Sequence, residues 1–131
     1  PRVQALCDDA TFRRVRLIVT ENYRVLETVR TLRESGPLAI GDLLVASHAS
    51  MRDDFEISTP ELDTAVNAAL GAGAIGARMT GGGFGGAAIA LVAEDLVGAV
   101  TDAAITAFAE RSYTRPHIFT VTPSRGAGRD A

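Results

Sequence analysis

The residues best placed to do chemistry lie in one glycine-dense stretch, TGGGFGG, which spans residues 80–86. Each glycine inside an element costs roughly 0.5–1 kcal/mol relative to alanine, and a tight hairpin turn needs only one or two of them. Five glycines within these seven residues therefore exceed what turning requires. We expect that backbone N–H groups here approach an anion or another loop, which a Cβ would obstruct. The plain alternative is a glycine-rich turn between two strands.

Eight residues in and beside this stretch are the predicted contacts to a phosphate or to a neighbouring loop. They are Arg78, Thr80, Gly81, Gly82, Gly83, Phe84, Gly85 and Gly86. The hydroxyl of Thr80 has two equally good interpretations, a hydrogen bond to a neighbouring loop or the ordinary role of a threonine at the end of a strand. For Arg78, a structural salt bridge is favoured over a phosphate contact.

The glycines fit one known fingerprint in their letters alone and match a second one only in part. The pattern G-x-G-x-x-G binds dinucleotides only between a strand and a helix, whereas the run after Gly86 has the apolar character and length of a strand. No lysine follows the glycines as it does in a P-loop. The sequence therefore predicts neither a Rossmann site nor a P-loop.

Other polar residues have less support for a functional role. His48 suggests a general base, but it lies among apolar neighbours with no carboxylate three or four residues away, so we expect a packed, hydrogen-bonded histidine. Asp53 and Asp54 suggest a metal site, yet adjacent carboxylates point apart, so a solvated turn with helix-end ion pairs is expected. Glu61 and Asp63 are interpreted as favourable charges in the first turn of a helix. No catalytic residue and no metal ligand is predicted in this chain.

Hydrophobic spacing assigns the elements that must position these groups. Apolar residues three and four apart predict helices over about 8–33, 38–52, 60–70 and 95–109. Apolar runs predict strands at 75–80 and 87–92, and strict alternation predicts a third at 117–122. The tail 124–131 is expected to fray. Helices followed by a ββαβ order predict an α+β fold, a ferredoxin-like two-layer sandwich with a mostly antiparallel sheet and long N-terminal helices.

Two details of the helices can be tested. The first helix should turn one face to the core, with Asn22 as its polar interruption; that face comprises Phe12, Val15, Val19, Asn22, Leu26 and Val29. The third helix has two possible starts. Thr59 can cap it with Pro60 in the first position, or Ser58 and Glu61 can form a capping box one residue earlier.

Composition limits the classes of protein. With 131 residues, 47% of them hydrophobic, the chain suits one globular domain, residues 1–131. The net charge of -3 without a basic cluster argues against nucleic acid as a partner. Apolar runs are too short to span a membrane, and the single Cys7 cannot form an internal disulfide, so a cytoplasmic location is expected. Because the sequence begins at Pro1 without a methionine, we expect a piece of a longer protein.

Two long motifs in order resemble the C-terminal part of galactokinases, in the GHMP kinase superfamily. GARMTGGGFGG at residues 76–86 resembles the family's third motif, and SHASMRDDFEISTPELD at residues 47–63 resembles the segment before it. Ala87 departs from the cysteine or serine that often follows the last glycine. The resemblance covers essentially the whole chain.

The resemblance implies phosphorylation of galactose by ATP with magnesium, in a protein with two domains. The present chain would form one wall of the active cleft, with the glycines beside the phosphate-binding loop, and its partner would be its own N-terminal domain. That domain would carry the phosphate loop, the catalytic aspartate and arginine, and most sugar contacts, so this chain alone is expected to be inactive. The alternatives are a kinase for another sugar, a sugar-sensing homologue, and a non-catalytic ferredoxin-like regulatory module.

Overall fold

A computed structural model describes residues 2 and 4–130 of the chain. Its helices and strands follow in the order α1 (Asp9–Ser35), α2 (Gly41–Asp53), α3 (Pro60–Gly71), β1 (Gly76–Thr80), β2 (Ala87–Leu91) and α4 (Val97–Glu110). Short 3-10 turns at Pro37–Ala39 and Glu94–Leu96 lead into α2 and α4. The predicted α+β class with an antiparallel sheet is confirmed.

The helix starts follow from capping side chains. The Asp8 carboxylate accepts a 2.7 Å hydrogen bond from the N–H of Thr11, which satisfies one of the unpaired amides at the start of α1. Thr59 caps α3 in the same way by accepting from the N–H of Leu62 at 3.3 Å, with Pro60 in the first turn. The register with Thr59 as the cap is therefore the observed one, and the capping box of Ser58 and Glu61 does not form.

The sheet is a hairpin of two antiparallel strands. Gly76 lies opposite Leu91 and Thr80 lies opposite Ala87, so residues 81–86, here called the glycine loop, connect the two strands directly. β1 is the inner strand and packs against α2 and α3, with Met79 fully buried. β2 is mostly exposed. The glycine loop therefore extends from the end of a strand that the core holds in place.

Two clusters of apolar side chains form the core. One joins the first three helices to β1 through Leu17, Met51, Leu62 and Met79. The other joins α3 and α4 to β1 through Val66, Ala69, Ala77 and Val100. Since Ala77 and Met79 belong to different clusters, β1 links both halves of the core.

The start of α2 crosses β1 at two glycines. A Cβ on Gly41 would overlap the carbonyl oxygen of Ile75, and a Cβ on Gly76 would stand 2.7 Å from the carbonyl oxygen of Gly41. Both positions therefore require glycine for close backbone approach. This crossing brings α2 close enough for its side chains to reach the edge of β1.

Two expectations from the sequence are wrong. Residues 117–122 form no strand, because no neighbouring strand supplies the hydrogen bonds that alternation alone cannot provide; residues 114–130 contain no helix or strand. The fraying of residues 124–131 stays a prediction.

The predicted core face of α1 is also largely uncovered. Val15, Val19, Asn22, Leu26 and Val29 are exposed, and Leu17 is the one fully buried residue of this helix. The reason is that α1 packs mainly along α2 and its flanking segments, and only Leu17 enters the core shared with α3 and β1, so too little surface is available to cover the whole apolar stripe.

Candidate functional site

The glycine loop adopts a backbone that other residues rarely take. Gly81, Gly83, Gly85 and Gly86 have φ values of 84°, 83°, 118° and 100°, in the left-handed half of conformational space. Phe84 is also left-handed, at φ 58°, and its side chain is 77% exposed. The loop thus presents a bare backbone with a single aromatic side chain on its surface. This explains the glycine density in local terms: five of the six positions adopt the left-handed conformation, and four of these five are glycines.

One point of the loop is attached to the α2–α3 connector, residues 54–59. The N–H of Phe84 donates a 2.7 Å hydrogen bond to the carbonyl oxygen of Ile57. At Gly83, a Cβ would stand 2.6 Å from the Cβ of Ile57 and 2.7 Å from its carbonyl oxygen. By contrast, Gly82 has no atom within 4 Å of where its Cβ would stand. Gly83 therefore serves internal packing, whereas the space beside Gly82 is open.

The remaining amides of the loop are available for an external partner. Among the described residues, Phe84 is the one member of the loop whose N–H makes a hydrogen bond. Backbone N–H groups arranged around left-handed glycines form concave sites that suit anions. The loop can therefore receive a phosphate oxygen or another polar loop through its backbone. Its role as a contact site stays a prediction.

Arg78 does not point its charge freely at the loop. Its guanidinium lies 3.4 Å from a Glu21 carboxylate oxygen of α1 and donates to the carbonyl oxygen of Met79 at 2.9 Å. Glu21 also accepts from Ser47 and pairs with Arg24. This geometry is the structural salt bridge favoured from the sequence, so the loop has no free cation in its supporting strand. Thr80 ends β1, and no hydrogen bond of its hydroxyl is observed within the described part of the chain.

His48 is a buried structural link between α2, α3 and β1. Its side chain is 4% exposed, and its Nδ1 accepts a 3.1 Å hydrogen bond from the N–H of Met79. Its Nε2 lies 2.8 Å from Oδ1 of Asp63. The expected packed, hydrogen-bonded histidine is what the structure has, although the carboxylate comes from a different helix. Because both ring nitrogens are engaged, His48 is not free to act as a general base.

An arginine cluster at the start of α1 fixes the connector. Arg16 donates to the carboxylate of Asp54, and this interaction, more than that with Ser50, holds the pKa of Asp54 below its ordinary value. Arg14 and then Arg13 likewise lower the pKa of Glu56. Asp54 is therefore a buried, paired carboxylate, and the expectation that it lies in a solvated turn is wrong.

Asp53 behaves as expected from the sequence. It is exposed and pairs at 2.7 Å with the adjacent Arg52, which lowers its pKa. The two neighbouring carboxylates thus point to different partners. No group of three or more histidine, cysteine, aspartate or glutamate side chains within residues 2 and 4–130 could hold a metal ion. Across the same residues, no helix combines the length and hydropathy that a membrane span requires.

Two contributors to the site were missed in the sequence. Ile57 acts through its carbonyl oxygen, which no side-chain pattern reveals. Asp63 was interpreted only as a helix-end charge, and it is in the first turn of α3 as expected, but it also binds His48. The signal that could have found it is the presence of His48 and Asp63 in one motif, since a buried histidine needs a partner for its second nitrogen.

Comparisons with known proteins agree on one family. Residues 28–110 match the family described as "GHMP kinases C terminal". A galactokinase of Streptomyces coelicolor is 52% identical over 97% of this chain, and the aligned region is 33% of that protein. The chain therefore spans about a third of the length of the curated relatives it matches.

Solved structures show the same relationship. The Lactococcus lactis galactokinase complexed with galactose has a TM-score of 0.75 and 45% identity, covering 80% of this chain and 27% of that one. An L. major mevalonate kinase in complex with R-mevalonate has a TM-score of 0.60 and 28% identity, covering 73% of this chain and 28% of that one. The family match, the similar sequences and the shared fold lead to one conclusion: this chain belongs to the GHMP kinase family, as its C-terminal domain.

Proposed function

We propose that the full-length protein is a galactokinase that transfers a phosphoryl group from ATP to galactose, and that this domain contributes the glycine loop to the active cleft. The observation that carries the proposal is the 52% identity to a galactokinase over 97% of the chain. Mevalonate kinase, which is named for another substrate, stands further away at 28% identity. The proposed product is galactose 1-phosphate.

The chemistry of the loop fits a phosphate-bearing neighbour. Phosphoryl transfer depends mainly on positioning and on stabilising charge over the phosphate oxygens. The loop offers backbone N–H groups without obstructing side chains, while Arg78 is already paired with Glu21. We therefore assign Gly81, Gly82, Gly85 and Gly86 to contact the ATP-holding part of the cleft through their backbone. The exposed ring of Phe84 would pack against the part of the cleft that this domain lacks.

Magnesium would supply charge neutralisation between the ATP phosphates when it is bound. The carboxylates of this domain do not fit a metal site, since Asp53 and Asp54 diverge to Arg52 and Arg16. We assign the metal and the catalytic groups to the remainder of the full-length protein. This domain alone is accordingly expected to be inactive.

The proposed partner of the domain is the N-terminal domain of the same protein. The support lies in α1, where apolar side chains that face solvent recur along the helix, interrupted at Asn22. They are Val15, Ile18, Val19, Val25, Leu26, Val29 and Leu32. An exposed set of apolar side chains of this size is typical of a surface that another domain covers. A cytoplasmic location is part of the same proposal.

The experiment is a phosphorylation assay on the full-length protein with ATP, magnesium and a panel of sugars. Galactose should have the highest kcat/KM, ahead of glucose, arabinose and N-acetylgalactosamine. Residues 1–131 assayed alone at the same concentration should have no galactose-dependent ATP turnover. A full-length protein that prefers another sugar would contradict the proposed specificity for galactose. One that binds sugar without turnover would contradict the proposed kinase activity.

A further inference from the structure

Two anchors hold the glycine loop, and both lead to one carboxylate. Just before the loop, in β1, the N–H of Met79 donates to Nδ1 of His48. In the middle of the loop, the N–H of Phe84 donates to the carbonyl oxygen of Ile57. The residue after Ile57 is Ser58, whose hydroxyl donates a 2.7 Å hydrogen bond to Oδ1 of Asp63. The same Oδ1 lies 2.8 Å from Nε2 of His48.

The direction of each hydrogen bond can be assigned. A backbone N–H only donates, so Nδ1 of His48 is the acceptor and carries no proton. The ring hydrogen is therefore on Nε2, where it is donated to Asp63. Asp63 thus selects the tautomer that can accept from Met79, in the way that a partner at one ring nitrogen sets the state of the other.

We propose that Asp63 is the positioning residue of the glycine loop, acting through His48 on its first anchor and through Ser58 on its second. The predicted effect on turnover rests on the proposed function. The predicted effect on the conformation of the glycine loop does not depend on it. A carboxylate that holds both anchors couples the end of β1 to the connector. The loop is then fixed at two points while its outer face stays free for a partner.

Glu61 provides a matched comparison. It occupies the same first turn of α3 and interacts with the same helix end as Asp63. It is exposed, and among the described residues it makes no hydrogen bond or ion pair. Replacing either carboxylate by its amide removes one charge from the helix start, and only the change at Asp63 alters the two anchors.

The test compares Asp63→Asn with Glu61→Gln by amide hydrogen exchange measured residue by residue. In Asp63→Asn, exchange at Met79 and Phe84 should accelerate about tenfold or more, since His48 and Ser58, which support the two anchors, exchange their hydrogen bonds to a charged carboxylate for weaker ones to a neutral amide. Exchange at Ala104, buried in α4, should stay as in Glu61→Gln. Unchanged exchange at Met79 and Phe84 would overturn the proposal, and so would an equal acceleration at Ala104.

A second readout uses turnover by the full-length protein. Asp63→Asn should lower kcat about tenfold while the KM for galactose changes less than about threefold, because a loop that is out of place affects the transition state more than sugar binding. An unchanged kcat with a loosened loop would overturn the link to catalysis. If the wild type phosphorylates no sugar, the proposed function fails, and the exchange result still decides the positioning role.

Two substitutions of His48 distinguish the contributions of its two hydrogen bonds. His48→Asn keeps an acceptor near Nδ1 for the N–H of Met79, whereas His48→Gln keeps a donor toward Asp63 and loses the acceptor. Protection of the Met79 amide should therefore be greater in His48→Asn than in His48→Gln. The reverse order would contradict the proposed route from Asp63 to the loop.

Discussion

Gly83 and Ile57 are in direct contact: a Cβ on Gly83 would lie 2.6 Å from the Cβ of Ile57 and 2.7 Å from its carbonyl oxygen. With a φ of 83°, Gly83 is also in the left-handed region. The loop and the connector are thus fitted to each other at this residue.

The first prediction separates Gly83 from Gly82. Gly83→Ala should reduce the free energy of unfolding by about 1–3 kcal/mol, because the new Cβ meets backbone and the conformation is strained. Gly82→Ala should change it by less than about 0.5 kcal/mol, since nothing lies within 4 Å of the added atom. Urea unfolding of the two variants checks this. Equal stabilities would mean that the loop does not press against Ile57.

The second prediction concerns the crossing of α2 and β1. Gly41→Ala should destabilise the domain by about 1–3 kcal/mol or more, because the Cβ overlaps the carbonyl oxygen of Ile75 and forces the helix away from the strand. The control is Gly98→Ala in α4, where the Cβ has open space and should stabilise by about 0.5 kcal/mol. Thermal unfolding measures both, and a tolerated Gly41→Ala would exclude the tight crossing.

The third prediction concerns acid stability. A carboxyl group whose pKa is lower in the folded protein than its ordinary value of 3.8 stabilises the fold above that value and loses this contribution as the pH falls below it. Asp54→Asn should therefore cost about 1–3 kcal/mol at neutral pH, and the difference from the wild type should shrink below about pH 3.8.

The control for this acid effect is the neighbouring Asp53→Asn. Asp53 is exposed and pairs with Arg52 at the surface, so its loss should cost about 0–1 kcal/mol. Denaturant titrations across the acidic range would give both curves. A constant difference between wild type and Asp54→Asn at all pH values would show that Arg16 does not lower the pKa of Asp54.

The fourth prediction concerns Phe84. Its side chain is 77% exposed in this domain, so Phe84→Ala should leave the stability of the domain nearly unchanged. In the full-length protein the same change should reduce kcat/KM for galactose about tenfold, because the ring meets a surface that this domain lacks. Leu38→Ala is the control, an exposed apolar residue in the 3-10 turn between α1 and α2. Steady-state kinetics would show equal losses in both variants if the loop had no special position.

Local patterns predicted what depends on local chemistry. The four helices and the two strands that flank the loop follow from periodicity, and the structure confirms them. Of the two starts that the sequence allows for α3, the structure has the one capped by Thr59. The strand at residues 117–122 failed because a strand needs a partner that alternation does not supply. The inward face of α1 failed because an apolar stripe indicates burial without saying what buries it.

The candidate site also has a part that the local sequence predicts and a part that it does not. The density of glycines predicts a loop with an unusual backbone at this place, and the structure has four glycines with positive φ there. The anchors at His48, Ile57 and Asp63 depend on contacts between separate elements, and one of them uses only a backbone carbonyl oxygen. Such contacts appear only once the elements are folded against each other.

The most direct test of the central claim is kcat of the full-length Gly82→Val variant with galactose and ATP. Because no atom beyond the adjacent residues lies within 4 Å of where a Cβ on Gly82 would stand, this domain leaves room for a side chain there, and a valine should clash with what approaches from outside. We predict a kcat at least about tenfold below the wild type with stability nearly unchanged. Wild-type turnover by this variant would contradict a place for the glycine loop in the active cleft.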